Sequence, residues 1–180
     1  EGVKQEDLDL ILSTAQRAPT SINGQQITLI YTRDKEKIKE IVTKVTPQDH
    51  IATADVFVVI VIDFNRTSHA VGEKHIIEQS AEGIVTGCVD GGIMLNQLQT
   101  AAEALGYGTC SIGYVRNDPQ EMIRILGLPP KTFPLVGCTI GVPTEEAMGA
   151  PLKPRIPLES FAFEDSYNAD AVIKGIDEYD

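Results

Sequence analysis

The sequence predicts a layered fold of strands and helices arranged around one long central helix. Three observations carry that expectation. Four short apolar runs with strand character stand in two pairs, one pair on each side of a helical pattern that extends from Glu78 to Leu105. Proline, glycine and capping aspartates punctuate the boundaries between these segments. With 180 residues, of which 42% are hydrophobic and 23% charged, the chain is long and apolar enough to bury one real core.

The elements follow in order. Leu8, Ile11, Leu12 and Ala15 fall at helical spacing, and Pro19 ends that helix because the residue before a proline is pushed toward extended geometry. Gln26 to Thr32 reads as a strand, and a short helix follows from Asp34, its N-cap, through Val45. Asp55 to Asp63, a nearly continuous β-branched run, reads as a strand buried on both faces. The long helix, stopped by Gly106, is apolar around most of its circumference and so is expected to be surrounded by protein. At about 1.5 Å per residue it would be roughly 40 Å long. Gly83, Gly87 and Gly91 repeat every four residues along it, a bare face on which another backbone could pack, and a second copy of the chain is a candidate for that partner. Tyr107 to Ile112 is expected as a strand, Pro119 to Leu126 as a helix capped by Asp118, and Phe133 to Val142 as a strand. The tail from Pro143 is proline-rich and then acidic. Strand order is not readable from this pattern.

Charge and composition narrow the function. Acids outnumber Lys and Arg by 26 to 15, for a formal charge of −11, so nucleic acid and anionic membranes are not expected partners. Any anionic ligand would need a local cluster of positive charge. Cys88, Cys110 and Cys138 are scattered in apolar surroundings and read as buried, reduced thiols of a cytoplasmic protein. His50, His69 and His75 show no ligand spacing, and no metal site is expected. No signal peptide pattern is present, and the apolar run 91–102 is too short and amide-rich to span a bilayer. The chain starts at Glu1-Gly2-Val3 without Met, which reads as a chain whose upstream residues are missing.

No nucleophile elbow, Walker loop, paired zinc histidines or dinucleotide fingerprint occurs, and Gly106-Tyr107-Gly108 is a lone G-x-G after a helix. No side chain is therefore assigned a catalytic role, which suits a protein that leaves its chemistry to a cofactor. Three stretches stand out. Arg17 to Gln26 places six hydroxyl, amide or guanidinium side chains in ten residues after a helix-ending proline. Lys153 and Arg155, two apart in an extended Leu-Lys-Pro-Arg-Ile-Pro segment, project to one side and either grip a phosphate or decorate a linker. Gly113 breaks a strand end, permitting either a bend or the close approach of a ligand.

Together these stretches resemble the nitroreductase family of FMN-dependent oxidoreductases, most of all its NADPH-dependent nitroreductase and flavin-reductase subgroup. Ala18-Pro-Thr-Ser-Ile-Asn-Gly-Gln25 is similar to the family's Ala-Pro-Ser-Ser-x-Asn-x-Gln loop. Residues 101–118 resemble its helix–strand signature ending in Ile-Gly-Gly, with Tyr114 in place of the second Gly, and residues 126–143 followed by Leu-Lys-Pro-Arg-Ile-Pro resemble its second signature. The likeness runs from about Asp7 to Ser160 in matching order.

The resemblance implies an α+β nitroreductase-like fold, a central mixed sheet flanked by helices, forming a single domain over residues 1–180 that is incomplete at both ends. It implies a homodimer with FMN at the subunit interface. Thr20, Ser21, Asn23 and Gln25 become candidate flavin contacts, with Gln48 approaching the ring. Gly113, beside Ile112, would offer its N–H to flavin N5, and Lys153 and Arg155 would bind the phosphate. The implied activity is a ping-pong cycle in which NAD(P)H reduces the flavin, which then reduces nitroaromatics, quinones or free flavin. Dehalogenation, enoate reduction or flavin binding without catalysis are the alternatives on the same fold. The family's basic N-terminal arm has no counterpart before Val3, and the subgroup continues beyond the position of Asp180 with basic residues linked to NADPH preference.

Overall fold

The computed structural model describes residues 2–72 and 76–179, and His75 lies outside that range. The chain forms two units, Glu1–Pro143 and Thr144–Asp180.

In the first unit, α1 (Gln5–Gln16) buries Leu8, Ile11 and Ala15 along one stripe. Next come β1 (Ile27–Thr32) and α2 (Lys35–Lys44), whose first turn is capped by Asp34 accepting from the backbone N–H groups of Glu36 and Lys37. The one-turn α3 (His50–Thr53) leads into β2 (Val56–Asp63), buried along nearly its whole length as its β-branched composition predicts. After α4 (Phe64–Val71) comes α5 (Ala81–Ala104), with Ser80 as N-cap. The remaining elements are β3 (Gly108–Ile112), α6 (Pro119–Leu126) and β4 (Thr132–Gly141).

The strand order is β1-β2-β4-β3, and every pairing is antiparallel. The expected class and long central helix are present, but the sheet of the described strands is antiparallel and not mixed. The reason is topological. β2 and β3 run in the same direction on either side of α5, and β4 inserts between them, so no two neighbours are parallel.

Alternation along β2 divides the core into two layers. Val56, Val58, Ile60 and Ile62 join α1 and α5 on one face of the sheet, while Phe57, Val59 and Val61 join residues of α2, α3 and α6 on the other. In β4 the register slips between Ile60 and Val61 of β2, leaving Leu135 as an extra residue. Pro134 sits beside this bulge, where a missing N–H costs the ladder least. Arg116 Nη1 takes the Leu135 carbonyl at 2.6 Å.

The bulge corrects the expectation for the α5 glycines. Their face packs against the chain's own sheet: a Cβ on Gly87 would lie 2.9 Å from Ile62 Cγ2, and one on Gly91 would overlap the Leu135 side chain. It is not a bare intersubunit face. Nor is α5 wrapped in protein all round. Val85, Val89 and Ile93 form an exposed apolar stripe on the opposite side. Cysteine burial is also corrected, since Cys88 on the outer flank of α5 and Cys110 on the edge strand β3 are exposed. Only Cys138 is buried, and burial pushes its thiol up to about 12.

The second unit carries α7 (Glu145–Gly149), an extended stretch through Pro157, a 3₁₀ turn at Leu158–Ser160 and α8 (Ala169–Tyr179). Gly175 lets α8 lie directly on Ser160, which is buried.

Candidate functional site: the loop between α1 and β1

The loop after α1 is built from an unusual backbone. Thr20 is extended, Ser21–Asn23 forms a 3₁₀ turn, and Ile22, Asn23 and Gln25 take φ values of 48°, 57° and 50°. Left-handed geometry suits asparagine but is a genuine outlier for a β-branched residue such as Ile22, and each such residue costs about 1–3 kcal/mol. Gly24, the residue best able to accept this geometry, sits at an ordinary φ of −69°. The strained turn throws the Ile22 side chain outward, 95% exposed.

Local bonds close the turn. Gly24 N–H donates to the Ser21 carbonyl at 2.8 Å, and Gln25 N–H donates to Thr20 Oγ1 at 3.1 Å. Two other elements grip it. On α5, Asp90 accepts from Ser21 N–H at 3.0 Å and from Gln26 Nε2 at 3.3 Å. From α4, Arg66 Nη1 reaches the carbonyls of Gln25 and Ile27 at 3.3 and 3.4 Å. The Ser21 hydroxyl and the Asn23 side-chain amide make no hydrogen bond among the described residues, so both are free to bind a ligand.

Behind the turn lies a polar cavity of about 280 Å³, with Arg17, Thr20, Asn23, Gln25 and Arg66 in its walls. A second cavity of about 390 Å³ adjoins it, sharing Gln16, Ile27, Arg66 and Met94 and extending between α1 and β1 to Tyr31. Neither Arg17 nor Arg66 forms an ion pair among the described residues. Two guanidinium groups without an ion-pair partner among the described residues, in one polar cavity, are a place for negative charge in an otherwise acidic chain.

The other residues singled out from sequence are placed apart from this loop. Gln48 lies between α2 and α3, and its Oε1 is a buried acceptor with no partner among the described residues, as is Thr46 Oγ1. Val45 and Ile51, which flank it, share their apolar layer with Ile112. Gly113 follows β3, and a Cβ there would meet only the Arg116 guanidinium, 3.2 Å away. The loop precedes β1 and Gly113 follows β3, so within one chain they belong to opposite edges of the sheet. Three strand spacings separate those edges, roughly 14 Å. In the second unit, Lys153 and Arg155 are both exposed, and Arg155 Nη1 folds onto the carbonyls of Lys153 and Pro154 at 3.3 and 3.0 Å.

Sequence reasoning missed Asp90 and Arg66, and it counted Arg17 in the polar stretch without assigning it a role. Asp90 had a usable signal, as the only charged residue between Glu82 and Glu103 of an apolar helix. Arg66 had none, because its value comes from the cavity it shares with Arg17. Among the described residues no cluster of three potential metal ligands occurs, and no helix is long and apolar enough to cross a membrane.

Comparison with known proteins gives this geometry a context. The family model described as "Nitroreductase family" matches residues 1–142. A protein named FMN reductase [NAD(P)H] from Bacillus subtilis is 42% identical over 185 residues, covering all of this chain and 73% of the relative. The solved structure of NfrA2 from B. megaterium superposes with a TM-score of 0.92 at 38% identity, covering all of this chain and 73% of that one. That of YcnD from Bacillus subtilis, titled a hypothetical oxidoreductase, does so with a TM-score of 0.93 at 42% identity and the same coverage.

Proposed function

The chain belongs to the nitroreductase family, and from that premise we propose that it is an FMN-dependent oxidoreductase using NAD(P)H to reduce nitroaromatics, quinones or free flavin. The observation that carries the reading is the strained loop, which turns hydroxyl and amide groups toward a polar cavity whose two arginines form no ion pair among the described residues.

The donor set fits FMN. Thr20, Ser21, Asn23 and Gln25 offer the hydroxyl and amide partners that ribityl hydroxyls and the polar edge of a flavin ring require. Gln48 brings a buried acceptor that lacks a partner among the described residues. Gly113 exposes its backbone with no side chain of its own, beside the Arg116 cation. Lys153 and Arg155 supply the charge for a phosphate dianion, Arg155 exchanging its present backbone carbonyls for phosphate oxygens.

When bound, FMN supplies the two-electron chemistry, taking up a hydride from the nicotinamide and passing it to the acceptor. The chain orients and polarises. The Gly113 N–H would donate a hydrogen bond to the flavin, and the loop donors would favour negative charge on it.

We propose a homodimer, with the exposed Val85, Val89 and Ile93 stripe of α5 as the contact. Two copies would also allow donors from opposite sheet edges to meet around one flavin. Residues 144–180 act in this reading with residues 1–143 as one functional domain, in the cytoplasm, where the exposed Cys88 and Cys110 stay reduced.

The test is spectroscopic. Protein loaded with FMN should bleach on anaerobic addition of NADPH or NADH and regain colour when a quinone or nitroaromatic is added. Bound flavin that neither nucleotide reduces would overturn the oxidoreductase reading.

A further inference from the structure

We propose that Asp90 is the positioning residue of the site: a buried carboxylate that, with Arg66, clamps the strained turn in the shape that presents Thr20, Asn23 and Gln25 to the cavity. The proposal rests on the flavin reading for the identity of the ligand, while the clamp itself stands on contacts within this chain.

Asp90 is 2% exposed and forms no ion pair among the described residues. Its neighbours along the helix face are Gly87, Gly91 and Met94, positions that serve packing. A carboxylate there is costly to bury, and an alanine would complete the same helix face without that cost. What it does instead is bracket the strain. Oδ1 takes Ser21 N–H and Oδ2 takes the Gln26 side chain, so Ile22, Asn23 and Gln25 all lie between its two grips.

Arg66 secures the exit of the turn through the carbonyls of Gln25 and Ile27. Among the described residues, Asp90 and Arg66 are the only groups outside the loop that hydrogen-bond to residues 19–25. The internal bonds can close a turn of this kind, but they cannot fix its orientation against α5. A loop with three left-handed, non-glycine residues relaxes when released, and the ligand groups swing with it.

The chemistry of the pair separates positioning from bulk stability. In Asp90→Asn, Oδ1 can still accept from Ser21 N–H, and Nδ2 can donate to a Gln26 amide turned over to present its oxygen. Asp90→Ala removes both grips and leaves Ser21 N–H and Gln26 without their partner.

The experiment follows amide exchange over residues 20–26 and 56–62 in flavin-stripped protein, together with dissociation constants for FMN and riboflavin. For Asp90→Ala we expect exchange over 20–26 to accelerate about tenfold or more with 56–62 unchanged. FMN and riboflavin should weaken together, about 10- to 150-fold, because the loop does not depend on the phosphate. Asp90→Asn should stay within about threefold of wild type in both readouts. Unchanged exchange over 20–26 in Asp90→Ala overturns the clamp, as does acceleration that includes 56–62 to the same degree. Should Asp90→Ala fail to fold, Arg66→Met, at an exposed position, decides from the other end: faster exchange at 25–27 with weaker flavin supports the clamp, and wild-type behaviour in both overturns it. A wild-type protein that binds no flavin would refute the proposed function, while the exchange comparison, made without flavin, would still decide the clamp.

Discussion

Gly87→Leu and Val89→Asp place substitutions on the two sides of α5 and should fail in different ways. A Cβ at Gly87 already lies 2.9 Å from Ile62 Cγ2 and 3.2 Å from its Cδ1. Three further carbons must then be fitted against Ile62, a buried member of the core layer between α5 and the sheet. Overpacking of this kind costs about 1–3 kcal/mol, while replacing a helix-interior glycine returns about 1 kcal/mol of helix propensity. The net change runs from about zero to a loss of about 2 kcal/mol, at most roughly 8 °C in Tm for a chain of this size. The proposed dimer should persist, because the glycine face is packed on the chain's own core and not in the proposed contact.

Val89 is 54% exposed in the single chain, so about half of its burial remains to be gained in a dimer. Full burial of such a side chain is worth about 1.5 kcal/mol or more, so two copies lose about 1.5 kcal/mol between them in Val89→Asp. Desolvating a carboxylate in that contact adds to the loss. The dimer dissociation constant should rise roughly tenfold or more, with the single-chain Tm little changed. Sedimentation velocity across the micromolar range, paired with thermal melts, measures both quantities. The reasoning is refuted if Gly87→Leu yields stable monomers with wild-type Tm, or if Val89→Asp leaves the dimer intact.

Arg155→Ala should weaken FMN about 10- to 150-fold by removing a charge-assisted hydrogen bond, and riboflavin hardly at all; equal losses for both ligands in titrations at matched ionic strength would locate the damage in the fold instead. On the surface between α2 and α6, Arg124 holds the carboxyls of Glu40 and Glu121 below their ordinary range, chiefly through direct hydrogen bonds, with Lys44 assisting at both. Depressed carboxyls stabilise the fold above their unfolded pKa and lose that contribution as pH falls through the folded values, so melting temperature should fall on acidification below about pH 4. Arg124→Ala should flatten that acid limb in a Tm-against-pH series, and an unchanged slope would show that the exposed cluster carries no stability.

Some of this molecule was legible in the residues because the physics involved is local. The β-branched run of β2 has one comfortable conformation, and Asp34 and Asp118 cap the helices they precede through bonds that span two or three residues. The loop was legible in composition but not in shape. Hydrogen-bonding side chains in a row announce a ligand or a turn, yet nothing in Ser-Ile-Asn-Gly-Gln says that isoleucine and not glycine takes the left-handed conformation. That choice is imposed from outside the loop, by groups 69 residues away at Asp90 and 41 away at Arg66.

The glycine repeat of α5 shows the same boundary from the other side. Spacing of four states that something approaches closely, and spacing alone cannot say what. The answer depends on a bulge in β4 that turns Leu135 toward Gly91, and on β4 being inserted beside β2. Both are properties of strand pairing across more than 70 residues of chain, to which a helical period is blind. Once the glycine face is occupied by the sheet, the apolar residues of the outer face have no partner within the described structure. The circumference of α5 is therefore divided in purpose: one side closes the core, Asp90 at its margin disciplines the loop, and the outer side is where the proposed second copy would pack. A lone aspartate in such a helix is then the informative residue, because packing alone gives no reason for a carboxylate there.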